Sequence, residues 1–300
     1  MNRSVLPAVV LVSLGVLLWQ QRAVAQTVHY VDNIRTCDGL TPCYTTIMDA
    51  VNAAAGGDFI EVFASVYHET VTFSSKGNIV LKAHVPALKP VIAAPSGNAI
   101  EITASPTVQV LNFVIEAPNG RGVSIGGPVS SGYVIQGNRI KAGGDGIASL
   151  GAPGGTVRDN AFLGNGISGD LNSSLIDGNT FIDAGISLFE GGERADDNVV
   201  RRNVLRGGGI SLTGAGNTIK SNFVSGGTGI SLLHAFSNVI RNNTSIESGG
   251  CDINDTLGDG NTWRNNRFRH QVRRRHRVGS RRPLKTPVCG CTARSTLPQA

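Results

Sequence analysis

The tetrapeptide Gly-Ile-Ser-Leu occurs three times, at Gly185–Leu188, Gly209–Leu212 and Gly229–Leu232, each followed by an asparagine-centred segment. The copies are 24 and 20 residues apart. Self-similarity at such a period confines the chain to repeat architectures, in which each unit buries its apolar face only against its neighbours.

A second element runs in phase with the first. An Asn is preceded by an apolar residue three positions earlier and usually followed by another two positions later: Ile135/Asn138/Ile140, Val157/Asn160/Phe162, Ile176/Asn179/Phe181, Val200/Asn203/Leu205, Ile219/Asn222/Val224, Ile240/Asn243 and Trp263/Asn266/Phe268. Only Ser245 breaks the second apolar column. The Asn-to-Asn intervals are 22, 19, 24, 19, 21 and 23 residues, so the unit has a fixed core and elastic loops. The Gly-Ile-Ser-Leu element extends in weaker form to Val123, Ile147, Ile167 and Cys251. Each unit accommodates two or three short strands joined by tight turns, and no long helix. Stacked in register at about 4.8 Å, like residues form columns along the axis. Ile147, Ile167, Ile186, Ile210 and Ile230 are expected as one inward column. The recurring Asn suits a turn position that tolerates left-handed backbone, with a side-chain amide that satisfies backbone groups.

Upstream, Val28–Val31 reads as a strand. Residues 45–55 place Ile47, Val51 and Ala54/Ala55 on one helical face, ended by Gly56-Gly57. Phe59–Phe63, Val71–Phe73, Asn78–Lys82 and Ala99–Thr103 are β-branched runs punctuated by Gly, Pro and Ser.

These residues resemble the right-handed parallel β-helix proteins of the pectate-lyase-like superfamily. The resemblance covers about residues 28–268 and rests on the Asn columns, the Gly-Ile-Ser-Leu strands and the opening from Ile47 to Glu69, similar to a capping helix and first coil. It implies an all-β right-handed parallel β-helix, a solenoid with a short N-terminal capping helix. Leucine-rich repeats share the period but need a Leu-x-x-Leu-x-Leu strand that is missing. Left-handed β-helices keep a strict hexapeptide that these intervals violate.

The chain opens with a basic start, an apolar run from Val5 to Trp19 and Ala23-Val24-Ala25, the pattern of a secretory signal peptide over residues 1–25. The apolar run is shorter than the roughly 20 residues that span a bilayer. The chain is therefore expected to be exported, secreted or periplasmic, with no membrane span. The net charge of +6 is uneven: residues 264–300 carry ten Arg, one Lys and no acid, which leaves −5 for the rest. Nucleic acid is thus not an expected partner, because the basicity is confined to the end. Residues 269–300 read as a basic arm with too little apolar content to order itself, or alternatively as an aberrant terminus. Of five cysteines, Cys37 and Cys43 can close a short loop and Cys251 can reach Cys289 or Cys291. Zinc is not expected, since no second ligand pair stands at the right spacing.

Two features depart from bland architecture. The segment Phe189 to Asp197 lengthens one unit and gathers Glu190, Glu193, Asp196 and Asp197 with Arg194 on one loop. His234 stands two units on, five residues after its Gly as Glu190 is after its own. Such carboxylates can supply a general acid and base for glycoside cleavage or ligate a hard cation such as Ca²⁺. The alternative is a solvated acidic loop. Second, the column two residues before each Asn reads Gln136, Arg158, Asp177, Arg201, Lys220, Arg241 and Arg264. Strand alternation turns it outward as a basic stripe suited to an anionic polysaccharide. The resemblance implies a polysaccharide lyase, hydrolase or epimerase, but the Asn-Thr-Asp, Gly-His-Gly and Asp-Pro-His signatures of active members are missing. A non-catalytic exported binding or structural protein is the alternative reading.

Overall fold

The computed structural model describes residues 26–189, 195–249, 251–256 and 258–268. The expected leader and basic tail lie outside them. Each coil contributes one strand to each of three parallel sheets. Sheet 1 has twelve strands and ends at Thr262–Arg264, sheet 2 has ten and ends at Arg267–Phe268, and sheet 3 has nine and ends at Ile253–Thr256. The result is a right-handed parallel solenoid of about nine turns.

Period-2 alternation builds the core. Ile147, Ile167, Ile186, Ile210 and Ile230 are directly opposite one another on successive strands of sheet 3, all buried. In the inward column of sheet 2, Phe162 stacks on Phe181 with ring centroids 4.6 Å apart. The glycine before each of these isoleucines permits close coil-to-coil approach. A Cβ at Gly166 would lie 1.8 Å from the carbonyl oxygen of Gly185, so only hydrogen fits there.

The N-terminal end of the core is covered by helix α1 (Ile47–Ala53), whose Ile47, Ala50 and Val51 are fully buried. It is shorter than residues 45–55 because its ends are set by caps. The Thr46 hydroxyl accepts from the Asp49 N–H, and the Glu69 carboxylate accepts from the amides of Ile47 (2.8 Å) and Met48 (2.9 Å). Cys37 and Cys43 form a disulfide beside this end.

The recurring Asn is not the left-handed residue. That conformation belongs to the residue just before it, as in Asp159, Arg202, Ser221, Asn242 and Asn265, with φ of 56°, 55°, 57°, 56° and 53°. The Asn side chains point inward and form a ladder along the turn from sheet 1 to sheet 2. In each rung the Oδ1 accepts from the backbone N–H and the Nδ2 of the Asn one coil earlier, while the Nδ2 donates to a backbone carbonyl and to the next Oδ1. For Asn203 these bonds join Asn179, Ile176 and Asn222 at 2.9–3.0 Å. The short side-chain amide satisfies groups that a turn would otherwise leave orphaned inside the protein.

A second ladder of the same kind runs through Asn198, Asn217, Asn238 and Asn261, in the turn entering sheet 1. The last four strands of sheet 1 are therefore held at both ends. Asn198 and Asn203, Asn217 and Asn222, Asn238 and Asn243, and Asn261 and Asn266 each bracket one three-residue strand.

Candidate functional site

Sheet 1 carries the basic column, whose Arg201, Lys220, Arg241 and Arg264 lie on the four bracketed strands. Gln136, Arg158, Asp177, Arg201, Lys220, Arg241 and Arg264 are paired in that order on successive strands of sheet 1. Each lies two residues before a ladder Asn, buried except in the last coil, so the column cannot slide without breaking the ladder. Arg158, Arg241 and Arg264 are exposed and Lys220 is half-buried. Lys220, Arg241 and Arg264 occupy three consecutive strands at a pitch of about 4.8 Å. Like charges placed directly opposite one another destabilise a sheet. An anion lying along the column would relieve that repulsion.

Arg201 differs from its neighbours. Asp177, one coil earlier and buried, accepts from the Arg201 guanidinium at 3.0 Å and from Arg202 through Nε at 2.7 Å and through Nη2. The hydrogen bonds from Arg202, assisted by those from Arg201, hold the Asp177 carboxyl below its ordinary value although burial works the other way. The charges of Asp177, Arg201 and Arg202 are thus mutually engaged, which divides the stripe into Arg158 on one side and Lys220, Arg241 and Arg264 on the other.

A lowered folded-state pKa means that Asp177 stabilises the fold above its ordinary value of 3.8 and that this contribution is lost as pH falls through the lower, folded value. Asp177→Asn should therefore lower the urea midpoint at neutral pH, and the gap from the parent should close in acid. A gap of constant size across that acid range would remove this assignment.

The loop proposed for chemistry is only partly placed. Glu190, Glu193 and Arg194 lie outside the described residues. Asp196 accepts from the Ala215 amide at 2.6 Å, and its own amide donates to Asn172 Oδ1 at 2.7 Å. Asp197 adopts left-handed backbone (φ 57°) immediately before the ladder residue Asn198, the position taken by Gly216 in the next coil. Both aspartates thus have turn-building work. His234 is exposed and left-handed (φ 48°), within the bulge where the register between Ile210–Ala215 and Ile230–Phe236 shifts. Counting back from the ladder, the residue level with Asp196 two coils on is Phe236, opposite Ala215; His234 lies two residues earlier. The structure therefore groups Asp196 with Asp197 and leaves His234 off their register.

Among the described residues, no three His, Cys, Asp or Glu side chains stand together so as to hold a metal ion. The acid-bearing run Gly143-Gly144-Asp145-Gly146 is a close-packed turn. A Cβ at Gly143 would meet the Pro118 carbonyl at 2.0 Å, and Asp145 faces Arg121 at 3.6 Å. No helix among the described residues is long and apolar enough to cross a membrane.

Residues 112–279, more than half of the chain, match the family model described as periplasmic copper-binding protein (NosD). The chain belongs to the NosD family. The match takes in both Asn ladders, and the family's periplasmic character accords with an exported chain. Among solved structures, a pectin methylesterase in complex with a hexasaccharide aligns with TM-score 0.51 at 13% identity, covering 83% of this chain and 94% of that one. Pectin methylesterase PemA from Erwinia chrysanthemi aligns with TM-score 0.48 at 11% identity, covering 79% and 91%. An alginate lyase from Paenibacillus sp. gives TM-score 0.38 at 12% identity, covering 81% and 98%. At these identities the likeness is one of fold. No curated protein matches the chain.

The second Asn ladder escaped the sequence reading, although its signal is present. Asn198, Asn217, Asn238 and Asn261 each stand five residues before an Asn of the first ladder.

Proposed function

We propose that this protein is an exported, non-catalytic β-helix that binds an anionic polysaccharide along the outer face of sheet 1. The carrying observation is the in-register run of Lys220, Arg241 and Arg264, with Arg158 beyond the Asp177 cluster. The strands of Lys220, Arg241 and Arg264 are pinned at both ends, so the backbone needs no ordering on binding and only the side chains remain to be fixed. A linear polymer with a carboxylate on each sugar suits a column of that spacing. The bond that the Asp196 carboxylate accepts from the Ala215 amide commits it to the turn and favours binding over cleavage, since a general acid or base must be free to face substrate. Fold likeness to a pectin methylesterase does not carry an activity with it.

The family description raises copper, whose usual protein ligands are thiolate, thioether and imidazole. The described residues do not fit it. Cys37, Cys43 and Cys251 are disulfide-bonded, His29 and His84 are engaged by Asp58 and Glu61, exposed His68 and His234 belong to no cluster of three ligand side chains, and the Met48 sulfur accepts from the Thr72 amide. These donors do not converge on one point.

The mature chain should be retained on immobilised polygalacturonate or alginate at low ionic strength and be released by salt, which screens exposed charges. Reversal of Arg158, Lys220, Arg241 and Arg264 to Glu should abolish retention. Reversal of Arg139 and Lys141, on the outer face of sheet 2, should leave most of it. Absence of retention at low salt, or equal loss in both variants, would reject this reading. Release of unsaturated or shortened sugars from the same polymers would replace binding with catalysis.

A further inference from the structure

The inward column of sheet 1 opens on a histidine. His29 stands opposite Ile60, and Leu81 and Val110 continue the column on the next two strands. All four are buried, so the first coil places an ionisable ring where later coils place aliphatic side chains. Tyr44 follows the disulfide-bonded Cys43 on the two-residue edge strand of this sheet, opposite Val31, and is half-buried. The pair stands at the capped end of sheet 1, the opposite end from Lys220, Arg241 and Arg264.

Nε2 of His29 lies 3.1 Å from the buried carboxylate of Asp58, and Nδ1 lies 3.3 Å from the Tyr44 hydroxyl. Asp58 also accepts from the amides of Ala55 (2.8 Å) and Thr27 (2.9 Å). Burial works to raise its carboxyl, but these amide bonds, with that from His29, hold it below its ordinary value. A carboxylate only accepts, so in neutral His29 the proton sits on Nε2 and Nδ1 is left as an acceptor for the Tyr44 hydroxyl. The two amides already fix Asp58 in its turn, so anchoring that turn does not require the imidazole. A hydroxyl, a base within its reach and an acid that orients the base are the arrangement that activates a nucleophile.

We propose that Tyr44 is a nucleophilic modification site, a phenol activated by His29 and Asp58 that takes an acyl group from an activated acyl donor. The Tyr44 oxygen forms a bond to the acyl carbon, and the bond from that carbon to its leaving group breaks. The phenolic proton passes to Nδ1 of His29 and from there to the departing group, so the imidazole ends neutral. The other three tyrosines of the chain lack this arrangement. Tyr67 donates to the carbonyls of Val31 and Phe63, and burial pushes its hydroxyl up. Burial likewise pushes the Tyr133 hydroxyl up to about 12. Tyr30, on the outer face of sheet 1, meets His84 ring edge to face at 6.2 Å, and Nδ1 of that histidine is taken by Glu61.

The test treats the mature full-length chain with N-acetylimidazole and follows O-acetylation of each tyrosine by peptide mass spectrometry, with release by hydroxylamine identifying the phenyl ester. Tyr44 should react faster than Tyr30 by about 100-fold, the lower scale of general base catalysis. His29→Gln offers Asp58 an amide N–H in place of the ring N–H but has no basic nitrogen. It should bring Tyr44 down to the rate of Tyr30, with the Tyr30 rate and the urea midpoint unchanged. In the parent protein, D2O should slow Tyr44 more than Tyr30, a reading of the proton transfer that needs no variant. Equal rates at the two tyrosines of the parent, or equal slowing of both in D2O, would overturn the proposal. So would a folded His29→Gln variant that keeps the fast rate at Tyr44.

Discussion

Asn203→Leu should destabilise the protein by about 4 kcal/mol, a loss at the upper end for a single substitution. The replacement is close in size, so packing is not the main cost. Removing the amide strands the buried backbone N–H and one Nδ2 hydrogen of Asn179, the carbonyl of Ile176 and part of the acceptor capacity of Asn222. Each buried polar group left without a partner costs about 1–3 kcal/mol. Adjacent rungs share these groups, so the damage extends into the coils on either side. Urea unfolding followed by circular dichroism checks it, and a loss below about 1 kcal/mol would show that the ladder accompanies the turn without holding it.

Gly166→Ala should also cost about 3 kcal/mol, although it adds one methyl group. Its Cβ would lie 1.8 Å from the Gly185 oxygen and 2.8 Å from both the Gly185 carbon and nitrogen. All three atoms are backbone of the adjoining coil, so no rotamer change relieves the overlap. The coils must separate, at the expense of the bond from the Ile167 amide to that same oxygen (3.0 Å). Gly164→Ala is the natural comparison. Gly164 has left-handed backbone (φ 86°) with open space around its Cβ direction, so its substitution costs only backbone strain of about 1–2 kcal/mol. Thermal melts of the two variants should rank Gly166→Ala well below Gly164→Ala. The reverse order would mean that backbone strain, rather than coil contact, makes these glycines necessary.

The stripe and the acidic loop show how far a linear reading reaches. Arg201, Lys220 and Arg241 were legible as a column because position two before Asn repeats through every unit. The engagement of Arg201 by Asp177 was not, since Arg202 also takes part from a left-handed turn position that repeats carry without regard to charge. Asp196 and Asp197 looked available because a carboxylate on a lengthened loop is usually solvated. Their work in the turn depends on Ala215 and Asn172, residues 19 and 24 positions away that only coil stacking brings alongside.

The sequence by itself determined the coil: its period, the inward isoleucine column, the outward alternation of the basic column and the amphipathic helix at the start. These follow from the two-residue repeat of a strand and the hydrophobic demand of a shared core, both of which act within a unit and recur in the next. The tertiary structure alone decided register at the irregular places. Loop length placed His234 two residues off the level of Asp196, with a one-residue bulge beside it, and bracketing by a second ladder fixed the backbone beneath a row of cations. Such outcomes depend on the lengths of neighbouring loops and on which hydrogen bonds close between coils, and those contacts have no counterpart in the local pattern of residues.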